Sequence, residues 1–250
     1  MSPGTVFVKS FAIIDGRGIA TPKGRIRWDE GQTGPADVRR AQVLPAPYVA
    51  FGKLNLPDRL AFSAASLALR DGPGERNNRM GVFLAIPGGS LSTDRAYRAS
   101  VEQGNPSPAL FSATLPSSPI ADIAIYHQLT GPNIVFAGGD SPFFAALEYV
   151  LLMMECGRLD EALVVLVDEP VETEAHPQPS ATALLVGTSP GSVSFELSRE
   201  PPESPLQQDQ PSTLDTVLCI TLCDALEKSG SLRMPVCAGG FKGYICLKLS

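Results

Sequence analysis

Residues 131–147 read Gly-Pro-Asn-Ile-Val-Phe-Ala-Gly-Gly-Asp-Ser-Pro-Phe-Phe-Ala-Ala-Leu, and here the chain comes nearest to an active site. A short β-branched and aromatic strand runs into a tight Gly138-Gly139 turn, then into the start of a very apolar helix. Pro142 falls where a first helical position belongs. A nucleophile at such a junction is favoured by the positive end of the helix, which stabilises a thiolate or oxyanion. The residue at this turn is Asp140, a poor nucleophile for acyl transfer. The junction has the shape of a catalytic one without its nucleophile. Two readings of Asp140 stand side by side: a member of a hydrogen-bond network, or an N-cap satisfying the first amides of the helix. A phosphate loop is excluded, because no lysine or further glycine follows at the required spacing.

Other chemistry is thin. There are two histidines, His127 on a helix before Gly131-Pro132 and His176 in a polar loop, and neither stands near a Gly-x-Ser-x-Gly motif. Five cysteines show no zinc-type pairing; Cys219 and Cys223 read as small core residues and Cys156 as a buried, inert one. No metal or cofactor is expected. The net charge of -6 argues against a nucleic-acid partner and against an anionic membrane surface. The longest apolar run, around Tyr149 to Met154, is too short to cross a bilayer, and the first residues do not form a secretion signal. A reducing cytoplasm is the expected compartment.

The elements around the junction follow from apolar period and punctuation. Strands are expected at Val6 to Ile14, Met80 to Ile86, Asn133 to Phe136 and Glu161 to Val167. Helices are expected at Pro57 to Leu69, Thr93 to Val101, Ser117 to Leu129 and Pro142 to Cys156. Continuous apolar strands alternating with helices predict an α/β fold with a largely parallel sheet. Ala181 to Val186 and Val193 to Leu197 read as a hairpin across Gly187 to Gly191. Residues 199–211 read as a flexible Pro/Glu/Gln-rich linker, Ser212 to Gly230 as a helix and Tyr244 to Leu249 as a closing strand. The helix after the junction carries apolar residues in every direction between Phe143 and Met154. It is therefore expected to be buried all round, covered on its far side by another element or another chain.

Taken in order, these segments resemble the β-ketoacyl synthases of the thiolase fold over nearly the whole chain. Phe51 to Leu69 is similar to their first long helix, and Met80-Gly-Val-Phe-Leu-Ala-Ile-Pro-Gly-Gly89 to their glycine-rich strand and turn. Thr93 to Tyr97 continues the match. Phe111 to Ile125 is similar to their Ser-Leu-Pro-Asn-Met-Ala segment, and Gly131-Pro132 to the Gly-Pro before the nucleophile strand. Glu161 to Val167 is similar to the strand after the nucleophile helix, and Gly239 to Leu249 to the closing Gly-Phe-Gly-Gly-Thr-Asn strand. On this resemblance residues 1–198 form the N-terminal half of that fold. Residues 212–250 are a remnant of its second half, packed on the same domain.

The departures carry the functional expectation. Aligned from Gly131-Pro132, the catalytic cysteine falls on Asp140, and the segments that hold the two catalytic histidines have no counterpart. The resemblance then implies a chain-length-factor type of subunit, not an enzyme on its own. It would form a heterodimer with a full-length β-ketoacyl synthase and shape the acyl tunnel in polyene, polyketide or fatty-acid-type biosynthesis. An acyl carrier protein would meet it through that complex. Phe111, Thr114 and Leu115 are the implied tunnel end, where a bulky side chain stops growth by steric exclusion. Asp140, Phe143 and Phe144 complete the candidates facing the tunnel or the partner, although aromatic residues so placed also serve simply as core. The alternatives are a homodimeric acyl-binding or scaffold pseudoenzyme of the same fold, and an enzyme with unfamiliar chemistry at Asp140.

Overall fold

The computed structural model describes residues 6–72, 77–138, 141–169, 178–189, 193–198, 232–238 and 241–249. The predicted linker, the helix at Ser212 to Gly230, His176 and Asp140 lie outside these residues.

Three strands read as apolar runs because they are buried on both faces. β4 (Gly81–Ile86), β6 (Glu161–Asp168) and β7 (Ser180–Gly187) contain almost no exposed position. Their side chains alternate between two cores. Phe83, Ala85, Ala162, Val164, Leu166, Leu184 and Val186 point to one side. Val82, Leu84, Leu163, Val165, Val167, Ala183 and Leu185 point to the other.

β1 (Val6–Asp15) also feeds both cores, but its parity changes along its length. Val6 and Val8 share a face with Phe11 and Ile13, which simple alternation forbids. A register shift between Val8 and Ser10 against β7 absorbs the extra residue and resets the pleat.

The described strands form one ten-stranded sheet in the order β5-β4-β6-β7-β1-β8-β10-β9, where β5 is Asn133–Ala137, β8 Val193–Ser198, β9 Leu232–Ala238 and β10 Phe241–Leu249. A short hairpin, β2 (Gly18–Thr21) and β3 (Gly24–Ile26), branches from β1. β4 runs parallel to β5 and β6, and β7 runs antiparallel to both β6 and β1. β1 therefore points the same way as β4, β5 and β6, and β7 is reversed among these five. The largely parallel sheet expected from sequence is corrected to a mixed one, parallel only where β4 meets β5 and β6 among the described pairings. The expected hairpin of β7 with β8 is corrected: β1 lies between them and pairs antiparallel with each. Local turn chemistry marks that a chain reverses, not which strand receives it.

Among the described helices, two cover one face and one the other. α2 (Leu56–Asp71) and α5 (Ser118–His127) pack together over the sheet; α1 (Arg40–Val43) is a single turn beside them. The small residues Ala61, Ala64, Ala65 and Ala68 allow α2 to lie close to its neighbours, and Asn55 caps it by accepting the Asp58 amide at 2.8 Å. α6 (Pro142–Glu155) covers the opposite face over β4, β5 and β6. Between β4 and α5 the chain leaves the body as α3 (Leu91–Glu102) and α4 (Pro108–Ser112). Only Thr93 of α3 is buried, and no residue of α4 is. This lobe stands on the body rather than in it.

Candidate functional site

The strand-turn-helix junction forms as its sequence predicts. β5 ends at Ala137, Gly138 turns with φ 72°, and α6 begins at Pro142. Gly131-Pro132 supplies the close approach that aligns β5 with β4. A Cβ on Gly131 would sit 2.2 Å from the Met80 carbonyl oxygen, and the Val82 amide donates to the Pro132 carbonyl at 2.8 Å. The N-cap position of α6 goes to Ser141, one residue later than the Asp140 cap expected from sequence. Gly139 and Asp140 lie outside the described residues. Phe143 and Phe144, immediately after the junction, are fully buried in the core between α6 and the sheet.

Among the described residues the far side of α6, expected to be covered by another element or another chain, stays partly open. Phe143, Phe144, Ala146, Leu147, Val150, Leu151 and Met154 are buried, whereas Tyr149 is 38% and Leu152 53% exposed. Cys156, expected to be buried, is exposed at the end of the helix. Tyr149 also touches the edge of the sheet, with its ring 5.9 Å from Phe136 of β5 and 6.1 Å from Phe83 of β4. Among the described residues β5 pairs with β4 only, which leaves its other side an open sheet edge beside this apolar face.

The lobe carries exposed apolar residues of its own. Phe111 and Leu115 are each 61% exposed, and Val101 and Ile125 are exposed near them in sequence. Thr114 is half-buried, its hydroxyl donating to the Phe111 carbonyl at 2.7 Å. The structure thus places the three implied tunnel-end residues together on the lobe, two of them out in solvent. Phe143 and Phe144 sit apart from them in the core.

Carboxylates gathered at the base of the lobe are a feature that sequence reasoning missed. Asp58 is buried near the start of α2, and the Ser118 hydroxyl, first on α5, donates to its Oδ2 at 2.8 Å. Burial pushes Asp58 up to about 7; the Ser118 hydrogen bond opposes this, and the charges of Asp122 and Glu169 add to it. Burial raises Asp122 and Glu169 as well, with the hydrogen bond from Ser92 opposing in Glu169. The same contacts tie the lobe down: Ser92 donates to Glu169, Asn55 Nδ2 donates to Thr93 Oγ1 at 3.1 Å, and Ser118 donates to Asp58. Among the described residues no group of His, Cys, Asp and Glu has the geometry to hold a metal ion.

His127 belongs to packing, not to the junction. It ends α5 and is buried, with Nε2 2.8 Å from the Ser66 hydroxyl of α2 and its ring stacked 5.9 Å from Phe62. The Thr130 amide three residues later bonds to Asn78, just ahead of β4, so this end of α5 lies where β4 and β5 begin. The junction lies where β5 ends.

No family model matches the chain, and no curated protein matches it in sequence. Solved structures do. The chain is similar to one in the structure of the ketosynthase ApeO in complex with its chain length factor ApeC from Xenorhabdus doucetiae, with a TM-score of 0.62 at 16% identity, covering 98% of this chain and 99% of that one. It is similar to a chain in the AntDE:AntF structure, a type II PKS acyl-carrier protein in complex with its ketosynthase bound to the hexaketide. That match has a TM-score of 0.64 at 11% identity and covers 99% of both chains. The ishigamide ketosynthase/chain length factor gives a TM-score of 0.58 at 20% identity over 78% of this chain and 68% of that one. The fold is the α/β fold of ketosynthases, in a form matched from end to end by chains of comparable length. No helix among the described residues is long and apolar enough to cross a membrane.

Proposed function

We propose that this chain is a chain-length-factor type of subunit that pairs with an active β-ketoacyl synthase and closes the end of that enzyme's acyl tunnel. The observation that carries the reading is the lobe: on a ketosynthase fold it holds Phe111 and Leu115 exposed, with nothing among the described residues enclosing them, as a surface meant for a second chain would. The open edge of β5 and the exposed Tyr149 and Leu152 of α6 extend the surface that a partner would cover. The chain contributes no nucleophile of its own, because Asp140 holds that position in the sequence. The partner supplies the cysteine and the histidines, receives acyl groups from a carrier protein, and performs the condensation. This subunit supplies a wall. Phe111, with Thr114 and Leu115 beside it, limits how far the growing chain extends. Phe143 and Phe144, buried behind the start of α6, hold that helix against the sheet, and Asp140 is a partner-facing candidate by its place in the sequence.

A homodimer is the second reading, and the open edge of β5 is what favours it, since an unpaired edge can also receive a copy of itself. Affinity purification of the tagged chain from its native source, with mass spectrometry of the eluate, separates the two. A stoichiometric ketosynthase bearing its active-site cysteine supports the subunit reading; a chain that elutes only with itself supports the homodimer.

A further inference from the structure

Phe111 lies on a helix of five residues, too short to hold its shape by its own hydrogen bonds. It is mounted instead on α3. The Ser100 hydroxyl donates to the Tyr97 carbonyl at 2.7 Å and accepts the Ser107 amide at 3.2 Å. The Ser107 hydroxyl, as N-cap of α4, accepts the Leu110 amide at 3.3 Å, and the Ser107 carbonyl accepts the Phe111 amide at 3.0 Å. The backbone at position 111 is thereby referred to the backbone at position 97. Their side chains are referred to each other as well, with the Tyr97 and Phe111 rings 5.4 Å apart and tilted by 51°. Tyr97 is half-buried while Phe111 is mostly exposed, so one ring is the fixed member and the other the projecting one.

We infer that Tyr97 is a positioning residue for chain length: its ring occupies the space behind Phe111 and holds the Phe111 side chain in its projecting rotamer. The inference rests on the subunit reading above and deepens it. A side chain on a short helix has staggered alternatives, and a stop works only if its ring stays in the path of the acyl chain. With Tyr97 in place, the rotamer that folds Phe111 back toward α3 is filled. Without it, Phe111 falls back into the vacated space and the tunnel end recedes, although Phe111 itself is unchanged. Substrate need not touch Tyr97 for this to operate.

The test uses the complex isolated with the tagged chain, supplied with its carrier protein and malonyl thioester, and reads product lengths by mass spectrometry. Tyr97→Ala is expected to shift the product distribution longer by one two-carbon extension, at an unchanged yield of complex. Tyr97→Phe is expected to keep the wild-type distribution, because it keeps the ring. Phe111→Ala shifts it in the same direction, and adding Tyr97→Ala to Phe111→Ala is expected to change nothing further. If Tyr97→Ala prevents assembly, Tyr97→Leu replaces it and is expected to give the same shift. Wild-type products from an assembled Tyr97 variant, or a shift that adds in full to that of Phe111→Ala, overturn the inference and leave the subunit reading standing. Absence of a ketosynthase from the purified material overturns the reading, and the inference with it.

Discussion

Replacing Asp58 by asparagine is expected to stabilise this protein, and the effect depends on pH in a defined direction. Asp58 is buried between the starts of α2 and α5, beside the carboxylates of Asp122 and Glu169. Its folded value of about 7 stands above the ordinary 3.8. A carboxyl raised in the folded state binds its proton there while the unfolded chain has already lost it. Stability is therefore full below the unfolded value, falls as pH rises from about 4 to about 7, and levels off above. At 1.36 kcal/mol for each pKa unit, that interval corresponds to roughly 4 kcal/mol. Asp58 sits in the first turn of α2, whose N-terminus favours the anion by about 1 kcal/mol, so ~3 kcal/mol is the working figure. The asparagine side chain keeps an oxygen to accept from Ser118 and removes the charge. The assay is thermal or urea unfolding of wild type and Asp58→Asn at pH 5 and pH 8. The variant is expected to melt about 6 to 12 °C higher at pH 8, on the scaling for chains of this size, and by roughly half as much or less at pH 5, where the unfolded carboxyl has already lost its proton. Wild type is expected to lose stability across that interval, with Asp122 and Glu169 adding slope of the same sign. A variant no more stable than wild type at pH 8 refutes the argument. So does a wild-type protein whose stability is flat between the two values.

Three further predictions draw on other parts of the molecule. Asp71 has the opposite sign: burial raises it, but hydrogen bonds from Arg70, Lys23 and Thr21 together with the Arg70 charge outweigh this and hold it at about 2. Its contribution is present above the ordinary 3.8 and is lost as pH falls through about 2, so Asp71→Asn should cost roughly 2 kcal/mol in urea unfolding at pH 7 and almost nothing at pH 2. Leu152→Glu should change the stability of the isolated chain by no more than about 0.5 kcal/mol while abolishing co-purification of the ketosynthase, which pull-down and unfolding curves measure separately. Phe111→Ala should likewise leave stability within about 0.5 kcal/mol, its ring being mostly exposed, yet lengthen the products of the complex by one or two extensions, read by mass spectrometry.

What was legible in the sequence was whatever repeats locally. β4, β6 and β7 announced themselves as apolar runs because both of their faces are buried, and α2, α3 and α5 announced themselves through period and caps. The β2–β3 hairpin was missed because strands of four and three residues carry too little pattern. β9 was missed because Pro235 argues against a strand; it is tolerated there since β9 pairs with β10 only and forms the sheet edge. The sequence of α6 shows that its far side needs a cover but not which one, because apolar residues all round imply burial and hydrophobicity alone does not say whether another element or another chain provides it. Phe111, Thr114 and Leu115 are candidates by resemblance alone, and their nearness in space follows from their nearness in sequence. The carboxylates at the base of the lobe have no such signal, since Asp58, Asp122 and Glu169 meet only once α2 and α5 are packed over the sheet.

The place of β1 in the sheet bears on how the chain is made. β1 is synthesised well before its two long ladder partners, β7 and β8, which lie about 170 residues or more further along. At a synthesis rate of about 5 to 20 residues per second, it waits roughly ten to thirty seconds for β7, with only the small β2 hairpin to pair with. A strand with two apolar faces and two open edges is the kind of nascent segment that aggregates or engages chaperones. Contacts of such sequence separation also make folding slow, since a large loop must close before any pairing energy is returned. Truncating the chain ahead of β7 would remove both long ladder partners of β1, so fragments meant to isolate the junction should yield insoluble protein.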